Sequence, residues 1–373
     1  MGNQSTVVSV TIVTHNSELC LIRCLDSVLS QDWSALDIIV VDNDSRDATR
    51  EILARYSAKE PARFQVIHNA ENRGFAGGQN QAISEARGEW ILALNPDVLL
   101  TPDFVSRLMQ AANHDPAVGT VCGKLLRALP DLTVPERPVM DSAGIYFTPA
   151  FRHFDRGMHQ PDRHEYDQPA YVFGATGAAA FYRRKMVDDV SIEQEFFDED
   201  FFFSREDADL SWRAQLLGWK CLYTPLAVGY HVRRVFPGVR QNLPGVINRH
   251  SVKNRFLMRI KNSSFRLYFR NWIPVTVRDL GILGYCLFCE QASLLAFAFI
   301  VRNWSRIIAK RRVIQQRRRV SDAYIQRWFR FRPVAIPAPA RYPTKQREPV
   351  PTAAASRPLL TVPARETGTT HLR

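Results

Sequence analysis

Trp90-Ile91-Leu92-Ala93-Leu94-Asn95-Pro96-Asp97-Val98 is an apolar run that stops abruptly at an amide and a carboxylate. A run of that length bounded by polar residues fits a strand buried on both faces of a parallel sheet. Asp97 then stands at the strand's carboxyl end, the edge where open α/β sheets place their ligands. A carboxylate there can hold a divalent cation against a diphosphate.

Outward from this strand the same alternation repeats. Val7–Val13, Leu36–Val41, Phe64–Ile67 and Val118–Cys122 read as further strands, rich in β-branched residues. Between them lie helical patterns over Glu18–Ser30, Ala48–Tyr56, Asn80–Ala86 and Asp103–Asn113, with a Gly-containing loop before Asn80. This β-α-β-α order predicts an α/β fold with a mostly parallel, doubly wound sheet and right-handed crossovers. From about 130 to 200 the pattern is irregular, as in a substrate-shaping region. Helical spacing returns at Ser204–Leu217, followed by a strand at Trp219–Tyr223.

The charge is divided unevenly along the 373 residues. Residues 1–250 carry 25 Lys and Arg against 32 Asp and Glu, and the remainder carry 24 against 5. Such a split predicts a near-neutral body with a basic appendage that meets an anionic surface, either nucleic acid or lipid. Leu280–Val301 is mostly apolar, but Glu290 and Gln291 interrupt its centre. A central acid costs on the order of 2–3 kcal/mol in a spanning helix, so spanning is disfavoured. Its flanks carry Arg270, Arg278, Arg302 and Arg306, with Trp272 and Trp304 interleaved. That composition predicts helices lying on an anionic leaflet. Beyond Arg332 the chain is rich in Pro, Ala and Thr and is expected to lack fixed structure.

Six cysteines are scattered without a disulfide or zinc-ribbon framework, which fits small buried hydrophobes in a reducing compartment. The N-terminus enters a strand pattern at once, with no basic segment and apolar core before it. The expected location is therefore the cytoplasm, peripheral to the inner face of the cell membrane.

Four polar clusters fall at the carboxyl ends of the predicted strands. They are Thr14-His15-Asn16, Asp42-Asn43-Asp44-Ser45, Asn69 to Gly78, and Asn95-Pro96-Asp97. Any one alone reads as a solvated turn; four on one sheet edge read as a ligand crevice. Asp42 and Asp44 can accept hydrogen bonds from a ribose or base edge, and Arg73 can pair with phosphate oxygens. Gly74, Gly77 and Gly78 let the backbone approach a ligand closely.

Val13-Thr14-His15-Asn16, Val41-Asp42-Asn43-Asp44-Ser45, Asn72-Arg73-Gly74-Phe75-Ala76-Gly77-Gly78-Gln79-Asn80 and Asn95-Pro96-Asp97 resemble the ordered motifs of glycosyltransferase family 2. Within that family they look most like its bacterial rhamnosyltransferase-like branch, over about residues 7–260. The resemblance implies a GT-A fold, a nucleotide-sugar donor, a divalent metal (Mn or Mg) and inversion at the anomeric carbon. It places Thr14, Asn16, Asp42, Asp44, Asn72, Arg73, Gly74, Asn80 and Asn95 on the donor. Asn95-Pro96-Asp97 stands where the family has Asp-x-Asp, which leaves Asp97 as the implied metal ligand. His15 stands where an aromatic is usual.

Glu206-Asp207-x-Asp209 resembles the family's acidic segment at the start of a helix. The resemblance implies Asp207 as the base that takes the acceptor's proton, the group such a displacement requires. It also implies His231 as a second metal ligand, and Gly174-Ala175-Thr176-Gly177-Ala178 resembles the family's small-residue loop beneath the donor sugar, which sets Gly174 and Thr176 with Glu206 beside the acceptor. Asp198 and Glu199 read as acceptor contacts, as supports for Asp207, or as part of a loop packed by aromatics. On charge alone, Glu206, Asp207 and Asp209 read equally well as a complement to a helix N-terminus.

The implied organisation is a catalytic domain over 1–250, with a donor half to about 125 and an acceptor half over 126–250. A basic membrane-associating region over 251–332 and a tail over 333–373 follow. The implied reaction moves a sugar, plausibly rhamnose from dTDP-rhamnose, to a glycan or lipid-linked acceptor in cell-wall or surface polysaccharide synthesis. Two other readings stand beside it. One is a nucleotidyltransferase, for which Thr14-His15-Asn16-Ser17 lacks a Gly-rich, basic phosphate loop. The other is a nucleic-acid-binding protein using the basic C-terminal part, although no nucleic acid is the expected partner.

Overall fold

The computed structural model describes residues 6–233, 244–339 and 342. Strands β1 (Val8–Thr14), β2 (Leu36–Asn43), β3 (Phe64–Asn69) and β4 (Trp90–Leu94) run parallel, in the order β4-β1-β2-β3. Their connections carry α1 (Glu18–Leu29), α2 (Thr49–Lys59) and α3 (Gly74–Glu85). Every residue of β1 and β4 is buried, as a central parallel strand covered on both faces requires.

α3 begins at Gly74, not at Asn80, so the glycine-rich stretch is the first turns of a helix and not a loop. A Cβ on Gly78 would stand 2.8 Å from Val13 Cγ1. The missing side chain lets α3 lie close on β1.

Beyond β4 come β5 (Val98–Leu100), α4 (Phe104–Ala112) and β6 (Val118–Arg127). The stretch that read as irregular holds β7 (Met140–Ser142), β8 (Ile145–Phe147), β9 (His153–Asp155), β10 (Ala170–Val172) and β11 (Ala179–Arg183). After it come α5 (Arg184–Val190), α6 (Glu206–Leu216) and β12 (Lys220–His231). β11 sits in the middle of the sheet, antiparallel to both β4 and β6. The sheet is therefore mostly parallel but mixed. β11 seats Phe181 on the Trp90 ring, with centroids 4.7 Å apart.

A helical layer closes one side: α7 (Gly245–Asn262), α8 (Phe265–Arg270), α9 (Trp272–Phe288), α10 (Leu295–Arg302), α11 (Trp304–Arg317) and α12 (Asp322–Gln326). The apolar run at 280–301 is split at Cys289–Glu290 between α9 and a short 3-10 turn leading to α10. Among the described residues, no single helix is long and apolar enough to cross a membrane.

This layer shares its core with the second half of the sheet-bearing part. Phe147, Phe173 and Trp212 pack in one buried cluster with Leu257, Met258, Ile307, Ile325 and Trp328. Part of the expected unstructured tail is also ordered. Ile336 and Pro337 pair with β10, and the Tyr342 hydroxyl lies 3.2 Å from that of Tyr171. The rest of the tail, 343–373, lies outside the described residues.

Charge pairing binds the two parts as firmly as the apolar contacts do. The fully buried Asp209 carboxylate accepts from Arg213 Nε at 2.9 Å and Asn262 Nδ2 at 2.7 Å, with Lys261 Nζ 3.3 Å away. Removing one member strands buried charge, which costs about 3–5 kcal/mol. Asp209→Ala is expected to lower unfolding stability by that amount in urea titration. A loss below roughly 1 kcal/mol would show that this carboxylate is not the tie between layers.

Candidate active site

Parallel register brings the predicted clusters to one edge. Thr14 is opposite Asp42, Asp42 opposite His68 and Asn43 opposite Asn69, while β4 ends at Leu94, opposite Ile12 of β1. Two adjoining cavities open there. One, of about 430 Å³, is lined by Thr14, His15, Asn16, Asn72, Gly74 and Asn95 among others. The other, of about 630 Å³, is lined by Thr176, Gly177, Glu206, Asp207 and His231 among others. Phe75, Asn95, Asp97 and Phe203 line both, so Asp97 stands where the two meet.

β12 delivers His231 to this junction. Its last residues pair antiparallel with β5, setting His231 opposite Val98, the residue after Asp97. His231 Nε2 lies 3.6 Å from Asp97 Oδ1, and His231 Nδ1 lies 2.8 Å from Asp141 Oδ2. Asp141 also accepts from Arg233 Nε at 2.6 Å, and Arg233 reaches Asp155 at 2.8 Å. Burial works against charge on His231, but the Asp141 carboxylate outweighs it and lifts the imidazole above its ordinary value. Burial likewise opposes the Asp141 carboxylate, yet His231 and Arg233 hold it well below its usual range.

A carboxylate that turns a histidine and fixes its tautomer is the usual support of a metal-binding imidazole. Asp97 with His231 Nε2 suits Mn or Mg as a donor set. Among the described residues no group of three or more His, Cys, Asp or Glu gathers to hold an ion.

Asp207 opens α6. Its Oδ2 accepts from the Gly177 backbone N–H at 2.9 Å and its Oδ1 from Ala208 N–H at 2.7 Å. Burial raises the carboxyl above its ordinary value, and the Gly177 bond moderates the rise. Beside it, burial and then the Asp207 charge push Glu206 up to about 8. The approach to this helix bends sharply, with Phe202, Ser204 and Arg205 all at positive φ. Non-glycine residues held there cost of order 1 kcal/mol or more each, so the surrounding packing must impose the turn. Asn254 does so in part, donating to the carbonyls of Phe201, Phe203 and Ser204. Phe202 also fills the space beside Gly74, where φ is +72° and an added Cβ would meet the Phe202 carbonyl oxygen at 2.4 Å.

The structure places several expected contacts elsewhere. Asp42 is fully buried and takes hydrogen bonds from Arg50 Nε and Ser45 N, so its oxygens are used inside the protein. Asp44 pairs with Arg50 and Arg46 at the rim. Arg73 points to Glu199, 3.7 Å away. Asn80 exchanges hydrogen bonds with the Phe197 backbone and donates to Glu199, which makes it a strut for that segment. Gly174 packs on Ser211 of α6.

Asp198 is a correction to the expected acceptor contacts. It is buried between Lys261 and Lys310 of the helical layer and does not line either cavity. Asp141, Asp155 and Arg233 went unremarked in the sequence. The alternation His231-Val232-Arg233 could have flagged Arg233, since it puts both polar side chains on one face. Asp141, in a three-residue strand, carries no such signal.

A mixed sheet with polar strand ends turned toward a divided cavity is the GT-A fold. A crystal structure of GalNAc-T7 with UDP, GalNAc and Mn2+ shares it, with a TM-score of 0.54 and 15% identity over 69% of this chain and 48% of that one. Residues 9–191 match the family described as Glycosyl transferase family 2, and this part of the chain belongs to that family. The succinoglycan biosynthesis protein ExoO of Rhizobium meliloti (strain 1021) is 33% identical over 28% of this chain and 30% of its own length. The poly-beta-1,6-N-acetyl-D-glucosamine synthase of Staphylococcus aureus (strain COL) is 24% identical over 69% of this chain and 58% of its own. The chain thus spans less than two thirds of the curated relatives it matches.

Glu206 offers a direct check of this electrostatic environment. Its folded pKa lies above its unfolded value, so the folded state holds the proton more tightly. The stability this confers is complete below the unfolded value and is lost as pH rises through about 8. Glu206→Gln removes the titration. The variant should melt with the wild type near about pH 5 and above it near about pH 9. Parallel melting curves at both ends would contradict a buried, high-pKa Glu206.

Proposed function

We propose that this chain is an inverting, metal-dependent glycosyltransferase of polysaccharide synthesis, working at an anionic membrane surface. The observation that carries the reading is the larger cavity, which Asp97, His231 and Asp207 all line, joined at Asp97 to the smaller one. The smaller cavity, under the strand-end loops, is suited to the nucleoside diphosphate, and the larger to the acceptor.

In this reading a hydroxyl oxygen of the acceptor attacks the anomeric carbon while Asp207 takes its proton. The bond from that carbon to the diphosphate oxygen breaks on the opposite face, and its electron pair leaves with the diphosphate. Single displacement of this kind inverts the configuration. Asp207 suits the task because burial raises its basicity while the Gly177 N–H fixes its orientation. Asp97 and His231 would hold the divalent ion, which supplies charge neutralisation at the leaving diphosphate.

The names of the two relatives support polysaccharide synthesis as the setting. The motif resemblance supports rhamnose from dTDP-rhamnose as the donor, on a glycan or lipid-linked acceptor.

Asp97→Ala and Asp207→Asn should each reduce transfer by about 10²-fold or more, as loss of a positioned acid–base group does. Only Asp97→Ala should weaken metal-dependent nucleotide binding. Nucleoside diphosphate release across a panel of dTDP-, UDP- and GDP-sugars, with Mn or Mg, measures both and identifies the donor. Normal turnover by Asp207→Asn would sink the base assignment, and release from UDP- or GDP-sugars alone would sink the dTDP donor.

Membrane association rests on the exposed apolar side chains of α8 to α11. Phe265, Trp272, Ile273, Leu280, Phe288 and Trp304 are each more than half exposed, with Arg266, Arg270 and Arg302 on the same helices. Apolar anchors among cations fit an interfacial position on the cytoplasmic leaflet. The protein should co-sediment with anionic liposomes. Trp272→Ser with Phe288→Ser should release it, whereas unchanged sedimentation would remove the helices from the contact.

A further inference from the structure

The larger cavity is lined by both signs of charge. Its acids are Asp97, Asp155, Glu206 and Asp207, of which Asp97 also lines the smaller cavity and Asp155 is paired with Arg233. Its wall also carries Arg152, His153, Arg205 and Arg255. Arg205 Nη1 lies 3.2 Å from His153 Nδ1, while its Nε and Nη2 bond Ser251. The Arg152 guanidinium rests on the Phe154 ring, 4.1 Å from the centroid. Behind them Arg278 extends from α9, and its Nη1 is buried without a hydrogen-bond partner. The acid beside it, Asp279, is paired with Arg259.

Burial, followed by the positive charges of Arg205, Arg278, Arg255 and Arg152, holds the His153 imidazole well below its ordinary value. Burial and the charges of Arg152 and Arg205 depress Arg278 as well. Cations crowded against one another in a half-buried wall are destabilising unless an anion joins them. Guanidinium groups suit phosphate oxygens in particular, through paired, charge-assisted hydrogen bonds.

The helix that supplies Arg278 presents its other face outward. Trp272, Ile273, Val277, Leu280 and Phe288 of α9 are all exposed. One helix therefore joins a cationic pocket wall to an apolar surface. A ligand matching both has an anionic head and a hydrocarbon tail.

We propose that Arg152, Arg205, Arg255 and Arg278 bind the phosphate or diphosphate ester of a lipid-linked acceptor, whose hydrocarbon chain runs along α9. This rests on the glycosyltransferase reading and specifies its acceptor. The ester would hold the acceptor sugar between the arginines and Asp207, with its hydroxyl facing the donor junction. A soluble sugar phosphate shares the ester chemistry but leaves the apolar face of α9 unused.

Binding by the full chain in detergent with EDTA tests this, because chelation silences metal-dependent nucleotide binding at Asp97. The probes are farnesyl diphosphate, farnesol and inorganic pyrophosphate. Farnesyl diphosphate is expected to bind at least about tenfold more tightly than either of the others, and Arg255→Gln and Arg278→Gln should each remove about tenfold. Asp97→Ala should bind it like the wild type. Circular dichroism checks that each variant is folded, and Arg152→Gln, at the cavity wall, replaces any that is not.

Equal binding of farnesyl diphosphate and farnesol would overturn the anionic subsite. Equal binding of pyrophosphate and farnesyl diphosphate would overturn the lipid source. Retention of full affinity by the folded arginine variants would overturn the assignment of these residues. Metal-dependent nucleotide binding, measured on the same preparations without EDTA, reports separately on the glycosyltransferase reading.

Discussion

A cluster of buried carboxylates fixes the segment before α6 to the helical layer. Asp198 is 3% exposed and is held by Lys261 of α7 and Lys310 of α11. Next to it Asp200 pairs with Arg306 and Lys310, and Glu195 with Lys310. Burial opposes charge on Asp198, but the two ammonium groups prevail and keep it well below its ordinary value. Such a cluster is costly to assemble and more costly to break, since removing either sign strands the other in low dielectric. The segment before α6 is thus fixed to the helical layer, and α6 carries Asp207. The position of the candidate base depends on helices more than 50 residues further along the chain.

That dependence explains the bent approach to α6. Phe202, Ser204 and Arg205 hold positive φ between anchors on both sides. Upstream stands the Asp198 cluster, and downstream the Asp209–Arg213–Asn262 contacts. Asn254 satisfies the carbonyls that the bend leaves without helix or strand partners. A flexible loop would relax out of this shape. Here the turn is set by the same ionic contacts that join the two layers, so stability and site geometry are coupled.

Much of the donor half was legible because it is local. β-branched runs and helical stripes placed β1, β2, β4 and α1 to within a few residues, and parallel register then brought Asp42, Asn69 and Asp97 to one edge. What escaped is non-local. β11 begins Ala179-Ala180, with little strand propensity of its own, and is a strand because β4 and β6 flank it. The glycines before Asn80 read as a loop because helix propensity is poor there, yet close packing on Val13 selects them. Asp42, by its strand-end place and motif, and Asp198, by its acidic run, read as ligand contacts. Their true partners, Arg50 and the two lysines, could be assigned only once the chain was folded.

The uneven charge of the chain also takes on a different meaning. As a linear count, the C-terminal excess reads as an appendage waiting for an anionic surface. In the fold, Lys253, Lys261 and Lys310 face inward and, with the half-exposed Arg306, are spent on Asp198, Asp200 and neighbouring carbonyls. This internal neutralisation lets an acidic catalytic half and a basic helical half share one core. Of the other cations, Arg266, Arg270 and Arg302 accompany the exposed apolar faces, Arg311, Arg317 and Arg319 bond carbonyls or Asp189, and Arg255 lines the larger cavity with Arg152 and Arg205. The cavity wall therefore sets the guanidinium groups of Arg152, Arg205 and Arg255 in the same enclosure as Glu206 and Asp207. For the acceptor proposed above, attraction of its anionic end to the guanidinium groups and repulsion from the carboxylates favour the orientation that leaves its neutral hydroxyl to Asp207.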